Sequence, residues 1–449
     1  MRTELKVNPT LIFITFILFV GILPAPIISG FTMPWQYLFA PIFLFVLLLI
    51  ALGYIKLPKF GKITTTLWIL IILEVIFSAV FAPMFKLNSF SFPTEAMQYI
   101  IRFLIFLFFI AIFYNKNINL EKFMKRFLVI LLMGMGVGFM QFLDLPGSSF
   151  FRSAYAYSDN YLDVMMRENL SSRRISGVAQ HPTSNGGIAA FTFISVITMF
   201  LFYKKKYWLT LLGLSLVLIN IIGGQARMGY VTIAFSILAI YLMYNYVYKK
   251  GVKSTVNMGF ITALIGSVIY WLYSRGNDFV VKAVYRWETL GESISMRGDR
   301  IAQIDIGLSL LQTPFDYLFG VSKEVEGLVR ALIEVEPINI FILYGLVGFL
   351  LQYGLIVILL IYLFKNVKVI KQYPILLTMV VMSFITLLSY QVFSLAYYFF
   401  REIHVGLIPW ILLGATIGAV ERFKKVPDQF EEYKGELKVR KRKRYRITW

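Results

Sequence analysis

The sequence predicts an all-α polytopic membrane protein, on three observations. Hydrophobic residues fill 58% of the 449 positions and charged residues only 15%, a balance far too apolar for a soluble surface. The mean hydropathy is +0.72. About twelve apolar runs approach the roughly 20 residues that cross a bilayer. Basic residues recur between alternate runs, as the positive-inside rule requires.

In chain order the runs fall at roughly 9–28, 36–55, 63–84, 96–114, 127–143, 186–203, 207–222, 228–247, 254–273, 338–364, 374–396 and 405–421. One set of connections carries Arg2 and Lys6, then Lys56, Lys59 and Lys62, then Lys116, Lys122, Lys125 and Arg126. The same set continues with Lys204 to Lys206, Lys249, Lys250 and Lys253, Lys365, Lys368 and Lys371, and the tail from Arg422. Both termini are therefore expected in the cytoplasm. No cleavable signal with a small-residue site is evident, so the first run is expected to remain as an anchor.

Residues 1–421 read as one transmembrane domain and 422–449 as a basic cytoplasmic tail. The tail ends "KVRKRKRYRITW". A basic cluster beside a membrane sits against anionic lipid and fixes topology, so no nucleic-acid partner is expected. The chain has no cysteine, which excludes disulfides, thiolate nucleophiles and cysteine metal sites. No internal repeat or low-complexity block is evident.

Alternation puts two long segments on the outer side, 144–185 and 274–337; loops of such length are commonly functional or disordered. The inner face is dominated by lysine. The outer face carries Arg152, Arg167, Arg173, Arg174, Arg227, Arg275, Arg286, Arg297, Arg300, Arg330 and Arg401, against Lys86, Lys282 and Lys323. Arginine offers a planar, permanently charged fork that grips phosphate with two prongs, whereas lysine serves topology equally well. The outer surface thus suits an anionic, phosphate-bearing ligand. Pairing with outer carboxylates is the plainer account of most of these arginines.

Arg227 fits that account less well. It lies in "NIIGGQARMGYVTIAF", in a turn of a few residues between two spans, where a snorkelling arginine is the alternative to a functional one. In "RGDRIAQIDIGLSLLQ", Ile301, Ile304, Leu308 and Leu311 recur at helical spacing while Arg297, Arg300 and Gln303 fall largely off that stripe. An interfacial amphipathic helix over about 297–312 is expected, its arginines facing a site at headgroup depth. A helix merely packing the loop onto the bundle would show the same pattern.

Two charges fall within spans, Glu74 and Arg102. Their spans are neighbours and antiparallel, so a structural pair is expected first and substrate binding second.

The segment "RRISGVAQHPTSNGG", Arg173 to Gly187, resembles the Arg-x-x-Gly...(His/Asn)-Pro-Asn motif that precedes a span in the O-antigen ligase and O-antigen polymerase family. Arg174, Gly177, His181 and Pro182 are the matching positions. "GGQARMGY" is similar to the family's Ser-Arg-Gly turn, with Arg227 as its arginine, although Gln225 and Met228 depart from the pattern. "SMRGDRIAQIDIGLSLLQTPFDYLFGVS" resembles the arginine-led outer helix and the Pro...Gly-x-Gly segment after it. "EVEPINIFILYGLVG" resembles the end of the large outer loop, with Gly345 and Gly348 as its Gly-x-x-Gly. The ligases carry a His eleven positions before the first of these glycines. Glu334 stands there, with Glu336 close by, which favours a repeat-unit polymerase over a ligase.

The resemblance, over roughly residues 170 to 360, implies a glycosyltransferase C-like membrane fold and metal-independent glycosyl transfer without cofactor. The site would face outward from the bacterial cytoplasmic membrane. The donor would be a glycan on undecaprenyl diphosphate, the acceptor a hydroxyl of another lipid-linked repeat. A chain-length regulator and a flippase are the implied protein partners.

Fixed positive charge can stabilise a diphosphate leaving group; Arg173, Arg174, Arg227, Arg297 and Arg300 are the candidates. Proton removal needs a carboxylate or imidazole, for which Glu334, Glu336 and His181 are the candidates. His181 in a His-Pro turn can instead cap a helix, and the two glutamates can mark a helix start. Ligation of the glycan to a cell-surface acceptor, and flipping or export of lipid-linked oligosaccharide, are the alternative functions. A polyprenyl-phosphate-sugar-dependent transferase would want an acidic residue in the first outer loop, "SGFTMPWQ", which has none.

Overall fold

A computed structural model of the protein describes residues 9–24, 27–28, 31–32, 34–87, 94–155, 174–179, 181–203, 206–249, 266–267, 270–277, 280–282, 284–285, 300–328, 333–402 and 405–434. Among these the chain is helical apart from one small ribbon. Helix α1 is Pro9–Val20. The ribbon follows, β1 (Ile27–Ile28) antiparallel to β2 (Phe31–Thr32), with Ile27 opposite Thr32 and Ile28 opposite Phe31. Hydropathy gave no hint of it, since two-residue strands have no readable period.

Next come α2 (Trp35–Leu38), α3 (Ala40–Ala51), α4 (Lys59–Leu87), α5 (Thr94–Asn115), α6 (Leu120–Phe142) and α7 (Ser148–Ala154). Helix α6 starts at an Asn119 cap, whose side chain accepts from the Lys122 N–H at 2.8 Å. Helix α8 (Pro182–Thr198) widens into a π turn at Met199–Tyr203. After it come α9 (Tyr207–Gly224), α10 (Arg227–Tyr248), α11 (Arg300–Ser309), α12 (Pro314–Phe319) and α13 (Ser322–Leu328). The last long helices are α14 (Glu336–Val369), α15 (Pro374–Phe393) and α16 (Leu407–Lys425), with a 3₁₀ turn at Phe399–Arg401 between α15 and α16.

Eight described helices are long and apolar enough to cross a membrane: α4, α5, α6, α8 with its π turn, α9, α10, α14 and α15. Helices α1 and α3 are apolar but have only 12 residues each. Helix α16 is apolar until Glu421, Arg422, Lys424 and Lys425. Most of the run expected near 254–273 lies outside the described residues. The chain is a multi-pass α-helical membrane protein.

Helix packing relies on close backbone approach where lipid offers no hydrophobic drive. Helix α16 lies along α5 through Gly414 and Gly418, spaced four apart. A Cβ on Gly414 would stand 2.5 Å from the Phe106 carbonyl oxygen, and one on Gly418 2.6 Å from that of Ile110. No larger residue fits this seam.

Helix α14 is broken. Gly345 has φ 62° and ψ −167°, a conformation essentially reserved for glycine. A Cβ there would meet the Leu318 carbonyl carbon at 2.3 Å, and one on Gly320 (φ 77°) would meet that of Leu343 at 2.2 Å. The two glycines let the α12–α13 connection press into the break. Val321 N–H donates to Ile342 O at 2.9 Å and Ser78 Oγ donates to Leu343 O at 2.6 Å, so carbonyls near the break have partners.

The expected amphipathic helix is observed as α11, but its contacts differ. Ile301 and Leu308 remain exposed while Gly307 is buried. A Cβ on Gly307 would lie 2.4 Å from both Ile333 and Ile342, so α11 meets the protein through this glycine face. Two residues of its apolar stripe are left pointing away from the bundle.

Candidate functional site

Two clusters meet at the end of the bundle formed by the N-termini of α5, α8, α10 and α14 and the C-termini of α6, α9 and α15. The first is built on "RISGVA". Arg174 to Ala179 are all buried, so their backbone groups need partners inside the protein. Gln141 at the end of α6 supplies them: its Oε1 accepts from the N–H of Ser176 (3.2 Å) and Gly177 (2.8 Å), and its Nε2 donates to Gly177 O (3.1 Å). Ile175 N–H donates to Gly223 O at 3.0 Å. Gly177, at φ 59°, makes the bend.

Arg174 is 5% exposed, and its Nε donates to Gly224 O at 3.0 Å, tying this segment to the end of α9. Gln225 then caps α9 at φ 49°, and Arg227 is the first residue of α10, half-buried. His181 caps α8, its Nδ1 accepting from Thr183 N–H at 3.2 Å. In the neutral ring this leaves Nε2 carrying the proton. The His181 ring stacks on Tyr397, with centroids 5.9 Å apart and planes at 18°.

The second cluster surrounds Arg401. Its Nη2 donates to Glu95 Oε1 at 2.5 Å, its Nη1 donates to Asn339 Oδ1 at 2.6 Å, and its guanidinium covers the Tyr398 ring at 5.4 Å. Asn339 Nδ2 donates onward to Glu326 Oε1 at 2.7 Å. Burial opposes the Arg401 charge, but its surroundings, Tyr99, Glu95 and Glu336 among them, hold it protonated well above its usual range. Burial pushes the Glu326 carboxyl up, and Arg401 only partly offsets this.

Glu336, 4% exposed, accepts a hydrogen bond from the Tyr390 hydroxyl on Oε2. Its N–H donates to Ser394 O at 2.9 Å. Tyr390 is itself stacked on Phe400 at 3.7 Å. A cavity of about 50 Å³ opens among these groups, with Glu336, Arg401, Arg102, Tyr99, Trp68 and Trp410 on its walls. The segment 394–401 joins the clusters: Tyr397 touches His181, Tyr398 stacks on Tyr397 at 4.7 Å, and Arg401 covers Tyr398.

Of the sequence candidates, Arg174, Arg227, His181 and Glu336 are gathered at this end. Glu334 is half-buried and tied through its backbone N–H to Gln303 of α11 at 3.1 Å. Arg173 and Arg297 lie outside the described residues, as does the side chain of Arg300, which opens α11.

The expected pair of Glu74 with Arg102 does not form. Arg102 Nη2 instead donates to Gln98 Oε1 (3.3 Å) and to the Arg401 carbonyl, with its guanidinium over Tyr99 at 5.4 Å. Glu74 Oε1 is buried without a hydrogen-bond partner. The reason is that α5 turns its Arg102 face toward the α15–α16 connection rather than toward Glu74.

Sequence reasoning counted Arg401 among the outer arginines but gave it no role, and passed over Glu95, Asn339 and Tyr390. A signal existed for Arg401, an arginine where topology needs no charge, inside "YYFFRE". For the others there was none.

Fold and site together define a multi-pass α-helical membrane protein whose buried charges gather at one end of its bundle. No protein-family model matches the chain, and no curated protein matches it significantly.

Proposed function

We propose that the protein is a polysaccharide polymerase that joins repeat units carried on undecaprenyl diphosphate. The observation that carries this reading is one cavity holding a buried carboxylate, Glu336, beside a buried guanidinium, Arg401, at the end where Arg174, Arg227 and His181 also lie. An acceptor hydroxyl oxygen attacks the anomeric carbon of the donor. As that bond forms, the bond from the anomeric carbon to the diphosphate oxygen breaks and the hydroxyl proton passes to Glu336. Arg401, Arg174 and Arg227 balance the charge on the departing diphosphate, and Arg173, Arg297 and Arg300 are further candidates for this role. Such chemistry needs no nucleotide, because the donor is already activated as a diphosphate ester.

In this reading the lysine-rich end faces the cytoplasm, and the charged cavity faces outward from the bacterial cytoplasmic membrane. His181 orients the 394–401 segment through Tyr397.

The test is reconstitution of the purified protein in lipid with one defined undecaprenyl-diphosphate-linked repeat, in chelator and without nucleotide. A ladder of products is expected, and Glu336→Gln and Arg227→Ala should each reduce elongation by roughly 10²-fold or more. Wild-type protein that builds no ladder from a matched repeat overturns the reading. A flippase is the second reading, favoured by Arg102 and Glu74, which lie buried within spanning helices without an ion pair between them. Movement of a labelled lipid-linked repeat across the bilayer without elongation would select it.

A further inference from the structure

Helices α6, α8 and α9 are sealed together over the halves nearer Arg174. Asn220 Nδ2 donates to Met135 O at 2.8 Å, and a Cβ on Gly213 would lie 2.8 Å from Val196 and 3.4 Å from Leu132. Toward the lysine-rich end the three helices part and leave a groove of about 800 Å³, a volume within the roughly 300–1,000 Å³ of sites that take an organic ligand.

The floor of the groove is apolar, with Leu128 and Val129 from α6, Val196 from α8 and Leu212 from α9. The π turn that ends α8 also shapes it, since Met199, Phe200 and Tyr203 of its five residues all stand on the wall; such turns are frequent at functional sites. The mouth is cationic. Lys125 comes to it from α6 and Lys206 from the start of α9. Tyr207 and Trp208, also on the wall, are 65% and 84% exposed and are the residue types that mark headgroup depth. None of the ion pairs between described residues involves either lysine. Glu121, one turn before Lys125 and the one carboxylate among the described lining residues, lies near Tyr433 instead.

We propose that this groove binds a phospholipid with a net negative headgroup, its phosphate between Lys125 and Lys206 and an acyl chain along the floor. A void walled by leucine and valine attracts no water, and its lining forfeits dispersion contacts if nothing enters. Inside a bilayer the available filler is an acyl chain. A zwitterionic phospholipid would fill the floor equally well, but its own cation would compete with the two lysines for the phosphate. Lysines that only fix topology need no groove between them. None of the residues proposed for sugar transfer lines the groove, so the site stands whether or not the chain transfers sugars.

The full chain, stripped of lipid in mild detergent, is offered dioleoyl phosphatidylglycerol or dioleoyl phosphatidylcholine, and retained lipid is read by native mass spectrometry. The expected result is saturable retention of a single phosphatidylglycerol at a concentration roughly tenfold or more below that needed for phosphatidylcholine, in line with the attraction two lysines exert near a membrane surface. Lys125→Gln combined with Lys206→Gln should bring the two lipids level. Lys365→Gln combined with Lys368→Gln, at the lysine-rich end but off the groove, should keep the preference. All of these lysines are exposed, so the fold is retained. Val129→Trp, which fills the floor from a position already 41% exposed, should weaken retention of both lipids. Equal retention of the two lipids by the wild type, a preference that survives loss of Lys125 and Lys206, or retention unmoved by Val129→Trp overturns the proposal.

Discussion

Arg401 and Glu95 are 306 residues apart in sequence and 2.5 Å apart in space, both almost sealed from solvent. A buried pair is weak evidence of net stabilisation, but removing one partner strands the other charge. Arg401→Ala should therefore cost about 3–5 kcal/mol, read as a loss of thermal stability in detergent, and Glu95→Gln should give part of it back in the double variant. Asp316 offers a pH test. Its Oδ2 accepts from Lys86 Nζ at 3.0 Å and from the N–H groups of Gln312 and Thr313 at 2.9 Å each. Burial raises its pKa, but these bonds outweigh burial and hold the carboxyl below its usual 3.8. Its contribution is complete above the unfolded value and disappears as pH falls through the lower folded one. Asp316→Asn should thus be destabilised by about 1–3 kcal/mol at neutral pH, with the gap to wild type closing as pH falls through the lowered folded-state pKa. Arg174, His181 and Glu336 were legible as residues because each belongs to a local pattern. The Arg401 network was not, because its partners sit on α5 and α14 and a single sequence does not record who meets whom.

At the scale of the elements, hydropathy located the long helices well, since a bilayer demands uninterrupted apolar runs. It overran α1 and α3, whose apolar sequence continues beyond the helices into turns and the small ribbon. The break in α14 was invisible: "LYGLVG" reads as continuous helix, and the left-handed φ of Gly345 arises from the approach of Gly320. Gly345→Ala is expected to be destabilised by about 1–3 kcal/mol from backbone strain alone. The clash with Leu318 adds to this, so thermal unfolding should show a loss larger than for Gly354→Ala, a helical glycine with open space around it. Glu336 and Asn339 ride on the short half-helix before the break. Gly345→Ala should accordingly also slow any reaction that depends on Glu336.

On the scale of the whole molecule, the lysines at the ends of the long helices, other than Lys86, lie at the end of the bundle opposite Arg174 and Arg401, a division readable from where the two residue types fall along the sequence. A larger groove, about 800 Å³, opens near the lysine-rich end between α6, α8 and α9, with Lys125, Lys206 and Trp208 on its walls. None of the candidate site residues line it. The seam between α5 and α16 has a consequence for how the chain is made. The ribosome emits Glu95 and Arg102 early, yet Arg401 and the glycines of α16 follow some 306 residues later, a delay of about 15–60 s at ordinary elongation rates of roughly 5–20 residues per second. Until then Glu95 lacks its Arg401 partner and the α5 face of the seam is uncovered, so recognition of the unfinished chain by membrane quality control is the expected consequence. A chain stopped after Lys371 should be cleared several-fold faster in pulse-chase than the full chain, and supplying residues 372–449 as a separate polypeptide should restore its lifetime. The last hairpin would then act as the clasp that releases the nascent protein from surveillance.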